Sequence, residues 1–173
     1  RIINAHQRPL SAIALNLTGE QLATSSEKGT IIRIFDTKTC LLLKELRRGT
    51  NPASIFCMSF SVDSTMLCVS SNHHTIHLFS LAMKKKKVYV PVINISRNPL
   101  RKLSFSGEVS VSRFRLPFSF KDKDSCICAF GPQPDSVIVV SSDGSYCKFN
   151  FYSERNECIR QTCSLYLEIT SDS

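Results

Sequence analysis

One arrangement of short runs occurs three times along this chain, and it limits the fold more than any other feature. The first copy comprises residues 11–17, 21–26, 30–35 and 41–48. The second comprises 54–60, 66–71 and 75–79, and the third 125–130, 136–142 and 146–149. Each run is rich in β-branched or aromatic residues, and turn formers separate them, as at Thr18-Gly19, Lys28-Gly29, Asp63-Ser64, Gly131-Pro132 and Asp143-Gly144. Ser26 and Ser71 are 45 residues apart (71 − 26), whereas Ser71 and Ser142 are 71 apart (142 − 71). A unit of four short strands repeating near 45 residues is the mark of a β-propeller blade. The longer interval predicts a blade with an insertion between its third and fourth strands, residues 109–116 being the returning strand. The expected fold is therefore all-β, about three blades of a propeller. A two-sheet sandwich is the competing all-β reading, and it leaves the repeat unexplained. The expected division is 1–7 as the end of a preceding blade, 8–49, then 50–117 with an inserted loop at 82–108, and 118–173 as the last blade. Residues 2–5 and 157–168 are the expected terminal strands. Three blades cannot close a ring, so the missing part is expected in the same polypeptide or a companion chain.

At the end of the first copy stands Leu46-Arg47-Arg48-Gly49. Neighbouring residues of an extended chain point to opposite faces, so the two arginines suit two pockets rather than one. Each guanidinium is a rigid fork that matches a phosphate. A bare Arg-Arg pair at a strand end is ordinarily a solvated edge; the flanking sequence gives this one its interest.

The chain has a net charge of +8, and its distribution matters more than its size. Residues 82–107 carry seven cations (Lys84, Lys85, Lys86, Lys87, Arg97, Arg101 and Lys102) and no acidic residue. An anionic partner is expected to meet the protein there. Tyr89, in the apolar run at 88–93, and Phe105 lie among these cations. Basic beside apolar is what a loop dipping into an anionic bilayer surface requires. A solvated basic linker and an extra strand at 88–93 are the alternatives. None of the eight cysteines forms a Cys-x-x-Cys pair, and Cys57, Cys68, Cys126, Cys128 and Cys147 lie inside apolar runs. They read as reduced core thiols of a cytosolic protein. No run of 18 apolar residues is present, so no membrane-spanning helix is expected. The chain opens on Arg1-Ile2-Ile3 in mid-pattern, as part of a longer polypeptide would.

With these motifs placed, the chain resembles the PROPPIN family, the phosphoinositide-binding WD-repeat propellers also called WIPI proteins. The motif Leu46-Arg47-Arg48-Gly49, the stretches at 4–6 and 26–37, and Cys126-Ile127-Cys128-Ala129-Phe130-Gly131 carry the likeness. It implies the C-terminal half of a seven-bladed ring with two head-group pockets beside the double arginine. Arg47 would serve one with His6, Ser26, Thr30 and Arg33; Arg48 would serve the other with Ser71, Thr75 and His77. Ser26–Thr30 and Ser71–Thr75 share a four-residue offset. The third copy has Ser142 and Ser145 but no arginine at its edge, so no site is assigned to it. The ligands so implied are phosphatidylinositol 3-phosphate and phosphatidylinositol 3,5-bisphosphate. Lys84, Lys85, Lys86, Lys87, Tyr89, Arg101 and Lys102 would belong to a membrane-inserting loop. The resemblance further implies a non-enzymatic adaptor in autophagosome formation that binds a lipid-transfer protein of autophagy. It would be cytoplasmic and peripheral on phagophore or endosomal and lysosomal membranes.

No cofactor is expected. Cys68, His73, His74 and His77 fit no familiar zinc spacing, and no nucleophile elbow or paired carboxylates suggest catalysis. Nucleic acid is not expected either, because the basic segment carries no recognisable binding motif. The reading from a different class is a WD-repeat protein-interaction scaffold whose basic loop binds an acidic protein or RNA. Phosphate should favour protonated His6 and His77, so tighter binding is expected at pH 6 than at pH 8.

Overall fold

The computed structural model describes residues 1–82, 107–117, 125–133, 135–152, 155 and 157–165. Among the described residues thirteen strands form three sheets, and no helix is present. The first sheet comprises β1 (Leu10–Leu15), β2 (Gln21–Ser26), β3 (Ile31–Asp36) and β4 (Leu42–Arg47) in sequence order. A short parallel strand, β8 (Glu108–Val109), is added at its edge. The second contains β5 (Ile55–Phe60), β6 (Met66–Ser71), β7 (Thr75–Ser80) and β9 (Ser112–Arg115). The third contains β10 (Cys126–Phe130), β11 (Ser136–Ser141), β12 (Ser145–Tyr152) and β13 (Glu157–Leu165). Neighbouring strands in sequence pair in each sheet, as in propeller blades. β7 pairs antiparallel with β9, so the inserted segment leaves between the third and fourth strands of the second sheet.

Alternation along the strands builds two cores. Ala23, Ile32, Ile34 and Leu46 of the first sheet meet Ile55, Leu67, Val69 and Phe79 of the second. Cys68, Ile76 and Leu78 leave the opposite face of the second sheet and meet Cys126, Cys128, Val137 and Val139 of the third. The inner strands β1, β5 and β10 touch in succession. Odd and even residues of one strand therefore serve different cores. Arg48 is two residues beyond Leu46 and projects toward the second sheet, whereas Arg47 shares the other face with Glu45.

Four sequence expectations need correction. Residues 2–5 form no strand in the structure. Residues 109–116 are divided: Val109 pairs with Arg47 in the first sheet, and only Ser112–Arg115 returns to the second. Gly107, at φ 106°, lets the chain approach Arg47 closely enough to make that switch. Cys147 is not a thiol: it lies opposite Cys163 across β12 and β13, with Cα atoms 4.3 Å apart, and the two are disulfide-bonded. Finally, the equal Ser–Thr offsets are not equal in register. Thr75 lies opposite Arg115, but the extra residue in the first hairpin places Ile31, not Thr30, opposite Arg47.

Other cysteines follow the alternation. Cys126 and Cys128 are buried while Ile127 between them is exposed. Cys57 donates to the Cys128 carbonyl at 3.4 Å, and the Cys128 thiol together with burial pushes its pKa well up, which keeps it protonated.

Candidate anion-binding site

Gly29 fixes one wall of the site. It sits at φ 61° in the β2–β3 turn, and an added Cβ would lie 1.8 Å from the Ala53 carbonyl oxygen. Its own carbonyl accepts from Arg48 Nε at 2.7 Å, and Arg48 Nη2 donates to the Asn51 carbonyl. Arg48 is 8% exposed. Burial lowers its pKa, but a guanidinium stays charged. Among the described residues this buried cation is held by carbonyl dipoles and not by a carboxylate, an arrangement that can take an anion from solution.

Arg48 lines a cavity of about 560 Å³ between the first sheet and the outer strands of the second. Thr75, His77, Arg113 and Arg115 line it with Arg48, and none of the described lining residues is acidic. Cross-strand pairing assembles this wall: His77 lies opposite Arg113, and Thr75 opposite Arg115. His77 is buried, its Nδ1 lies 3.4 Å from Ser110 Oγ, and its ring stacks on Phe79. Burial, then the charges of Arg48 and Arg113, lower its pKa to about 4. Cys68 points into the core on the opposite face of this sheet from His77, so the two cannot share a metal. Ser71 is buried, its hydroxyl without a partner among the described residues, and it does not line the cavity.

The Arg47 side is built differently. Arg33 lies opposite Glu45, with Nη2 2.9 Å and Nε 3.0 Å from Oε2, and its Nη1 donates to the Ala5 carbonyl at 2.6 Å. His6 Nε2 is 3.0 Å from Thr24 Oγ1, and burial, followed by the charge of Arg33, lowers its pKa. Ser26 and Thr30 are buried, and the Thr30 carbonyl accepts from the Arg48 backbone. The structure brings Arg33 to the Ala5 carbonyl beside His6, with the Glu45 carboxylate paired to Arg33.

Two residues of the cavity, Arg113 and Arg115, were absent from the sequence reading. The alternating run at 109–116 held the signal, since residues two apart on a strand face one way. Lys84, Lys85, Lys86, Lys87, Tyr89, Arg101 and Lys102 lie outside the described residues. Both stems of their segment are anchored by Lys44, which donates to the Ala82 carbonyl at 2.9 Å and pairs with Glu108 at 3.3 Å.

Residues 1–91, which include both arginines and the outer wall up to His77, match the family model PROPPIN. The chain belongs to the PROPPIN family. Within it, the chain is 37% identical over 144 residues to Autophagy-related protein 18 of Komagataella pastoris, covering 83% of this chain and 25% of that protein. A namesake from Aspergillus clavatus is 52% identical over 83 residues, covering 48% of this chain and 20% of its own length. The chain thus spans about a quarter of these relatives. Hsv2 of Kluyveromyces lactis superposes with a TM-score of 0.74 at 24% identity, over 95% of this chain and 50% of that one. KlAtg21, solved in complex with the coiled-coil of AgAtg16, gives 0.68 at 27% identity, over 95% and 45%. These propeller likenesses agree with three stacked sheets that leave a ring incomplete.

Proposed function

We propose that this PROPPIN is a non-catalytic adaptor that recognises 3-phosphorylated phosphoinositides, phosphatidylinositol 3-phosphate and phosphatidylinositol 3,5-bisphosphate, on membranes where autophagosomes form. One observation carries the reading: a buried Arg48, held by backbone carbonyls, faces a cavity with Thr75, His77, Arg113 and Arg115, and no acidic residue is among its described lining. Such a cavity favours a compact, multiply charged anion that can accept from several forks at once. Arg47, His6, Ser26, Thr30 and Arg33 form the second and weaker cradle. Lys84, Lys85, Lys86, Lys87, Tyr89, Arg101 and Lys102 supply a loop that engages the bilayer, and linked weak contacts multiply into useful avidity. The relatives' name, Autophagy-related protein 18, supports the process. A lipid-transfer protein of that pathway is the proposed partner, and the missing blades, in this polypeptide or a companion, complete the ring.

Flotation with phosphatidylcholine vesicles tests the reading. Vesicles containing phosphatidylinositol 3-phosphate should carry the protein upward, plain vesicles should not, and Arg48→Gln should abolish the difference. Equal flotation on both vesicles, or capture by acidic protein or RNA alone, would leave a protein-interaction scaffold instead.

A further inference from the structure

Lys44, Leu46 and Arg48 follow one another on a single face of the β4 edge, the face turned to the second sheet. Arg48 lines the cavity at one end of that row, and Leu46 is fully buried between the sheets. Lys44 closes the other end, about 14 Å from Arg48 along extended chain. Its ammonium reaches the Ala82 carbonyl at 2.9 Å, the Ser80 carbonyl at 3.4 Å and the Glu108 carboxylate at 3.3 Å. Three acceptors match the three donors of one nitrogen, and the Lys44 side chain is 12% exposed. Ser80 ends β7 and Ala82 leads into the basic segment, while Glu108 begins the return in β8. Glu108 is also the first acidic residue after the seven cations. β8 pairs with Leu46 and Arg47, and Gly107 permits that approach, since an added Cβ would lie 3.3 Å from the Arg47 backbone nitrogen.

The second sheet's own edge shows the same position with no insertion to hold. Leu116 donates to His74 as Arg48 does to Thr30, so Ser112 holds the place of Lys44. Ser112 Oγ lies 3.7 Å from Cys158 Sγ on β13. Residues 81–111 separate β7 from β9, whereas residues 153–156 separate β12 from β13. A lysine thus faces the sheet that carries the insertion, and a serine faces the sheet with a short connection.

Resting on the function proposed above, we infer that Lys44 is a positioning residue: it ties both ends of the basic segment to the strand edge that carries Arg48, so that the segment and the cavity engage one membrane together. A basic segment tied beside the cavity adds its surface attraction to head-group binding as a linked contact. Released at its ends it contributes less, because the effective concentration of its charges at the bilayer falls.

The test uses phosphatidylcholine vesicles containing phosphatidylserine and phosphatidylinositol 3-phosphate, with soluble inositol 1,3-bisphosphate titrated calorimetrically in parallel. Lys44→Met should weaken vesicle binding about fivefold, the contribution of one cation at an anionic surface, and change soluble head-group binding by no more than about twofold. Lys44→Arg keeps the charge and the donors and should stay within about twofold of the unaltered protein on vesicles. Glu108→Ala separates position from charge and serves also if Lys44→Met melts early. It raises the net charge, so charge alone predicts tighter vesicle binding, whereas loss of the tie predicts binding about threefold weaker. Amide exchange at Leu81 and Val111, which donate to Thr65 and Leu78 beside the two stems, should quicken in both variants and reads the tie without lipid. Tighter vesicle binding by Glu108→Ala, or unchanged vesicle binding by Lys44→Met, overturns the positioning role and leaves the phosphoinositide reading standing. Equal loss for vesicles and soluble head group makes Lys44 a support of the cavity alone, which also overturns it. If the unaltered protein binds neither these vesicles nor the head group, the phosphoinositide reading fails and the positioning role with it.

Discussion

The second and third sheets each hold a cavity at the same place in the repeat, and their described linings differ sharply in charge. Ser145 and Leu165 replace Thr75 and Arg115 in register, and Cys147 and Cys163 replace His77 and Arg113. Leu116 donates its backbone N–H to His74 as Arg48 does to Thr30, so a leucine stands where the neighbouring edge has its arginine. The third-sheet cavity is smaller, about 220 Å³, and its lining contains one charged residue, Arg160. The same backbone scaffold thus carries three arginines and a histidine around one cavity and a single arginine around the other, through five exchanged side chains and Arg160. Folding fixes where a pocket lies; strand-edge chemistry decides what it holds.

The comparison breaks most severely if Arg48 is changed. Arg48→Leu puts at the first sheet's edge the residue that Leu116 supplies at the second's, and vesicle binding should fall at least about thirtyfold, because a buried charged contact is lost outright. Next comes the wall behind it. Gly29→Ala adds a Cβ against the Ala53 carbonyl and strains a left-handed residue, so it should cost on the order of 3 kcal/mol in urea unfolding. Gly19, which has open space around it, serves as the control site, where the same change costs only the backbone strain.

His77 supplies a pH signature that the cysteine pair cannot. Its pKa in the folded protein is about 4, below the ordinary 6.5, so the unfolded chain binds the proton more readily. Stability is therefore full above about pH 6.5 and declines as the pH falls toward 4. Phosphate raises the same pKa, so affinity should increase over that acidic window and stay flat between pH 7 and pH 8. His77→Asn should remove this dependence from binding isotherms taken across the range. The smallest effect is expected in the first sheet. Glu45→Gln leaves Arg33 without its carboxylate and should improve phosphoinositide binding about twofold to threefold, at the scale of a partly buried pair whose side chains are 29% and 18% exposed.

Much of this fold was legible because the repeat interval, the alternation and the turn residues all specified one architecture. The insertion point between β7 and β9 followed from one arithmetic difference. Residues 2–5 misled because an apolar start resembles a strand but carries no information about its pairing partner. Cys147 misled because strand register, not local sequence, brings Cys163 opposite it. In the site, the opposed faces of Arg47 and Arg48 follow from strand geometry and needed no coordinates. Glu45 and Arg113 were invisible for a common reason: each matters through its cross-strand neighbour, Arg33 or His77, and register is a tertiary property. Thr30 and Thr75 show how one extra hairpin residue turns an equal sequence offset into unequal positions.

The most direct measurement sets the two cavities against each other in one protein. Equilibrium binding to phosphatidylinositol 3-phosphate vesicles is compared for the unaltered protein, Arg48→Gln and Arg160→Gln. The account predicts that Arg48→Gln loses nearly all binding while Arg160→Gln matches the unaltered protein. Equal losses from the two substitutions, or none from Arg48→Gln, would contradict it.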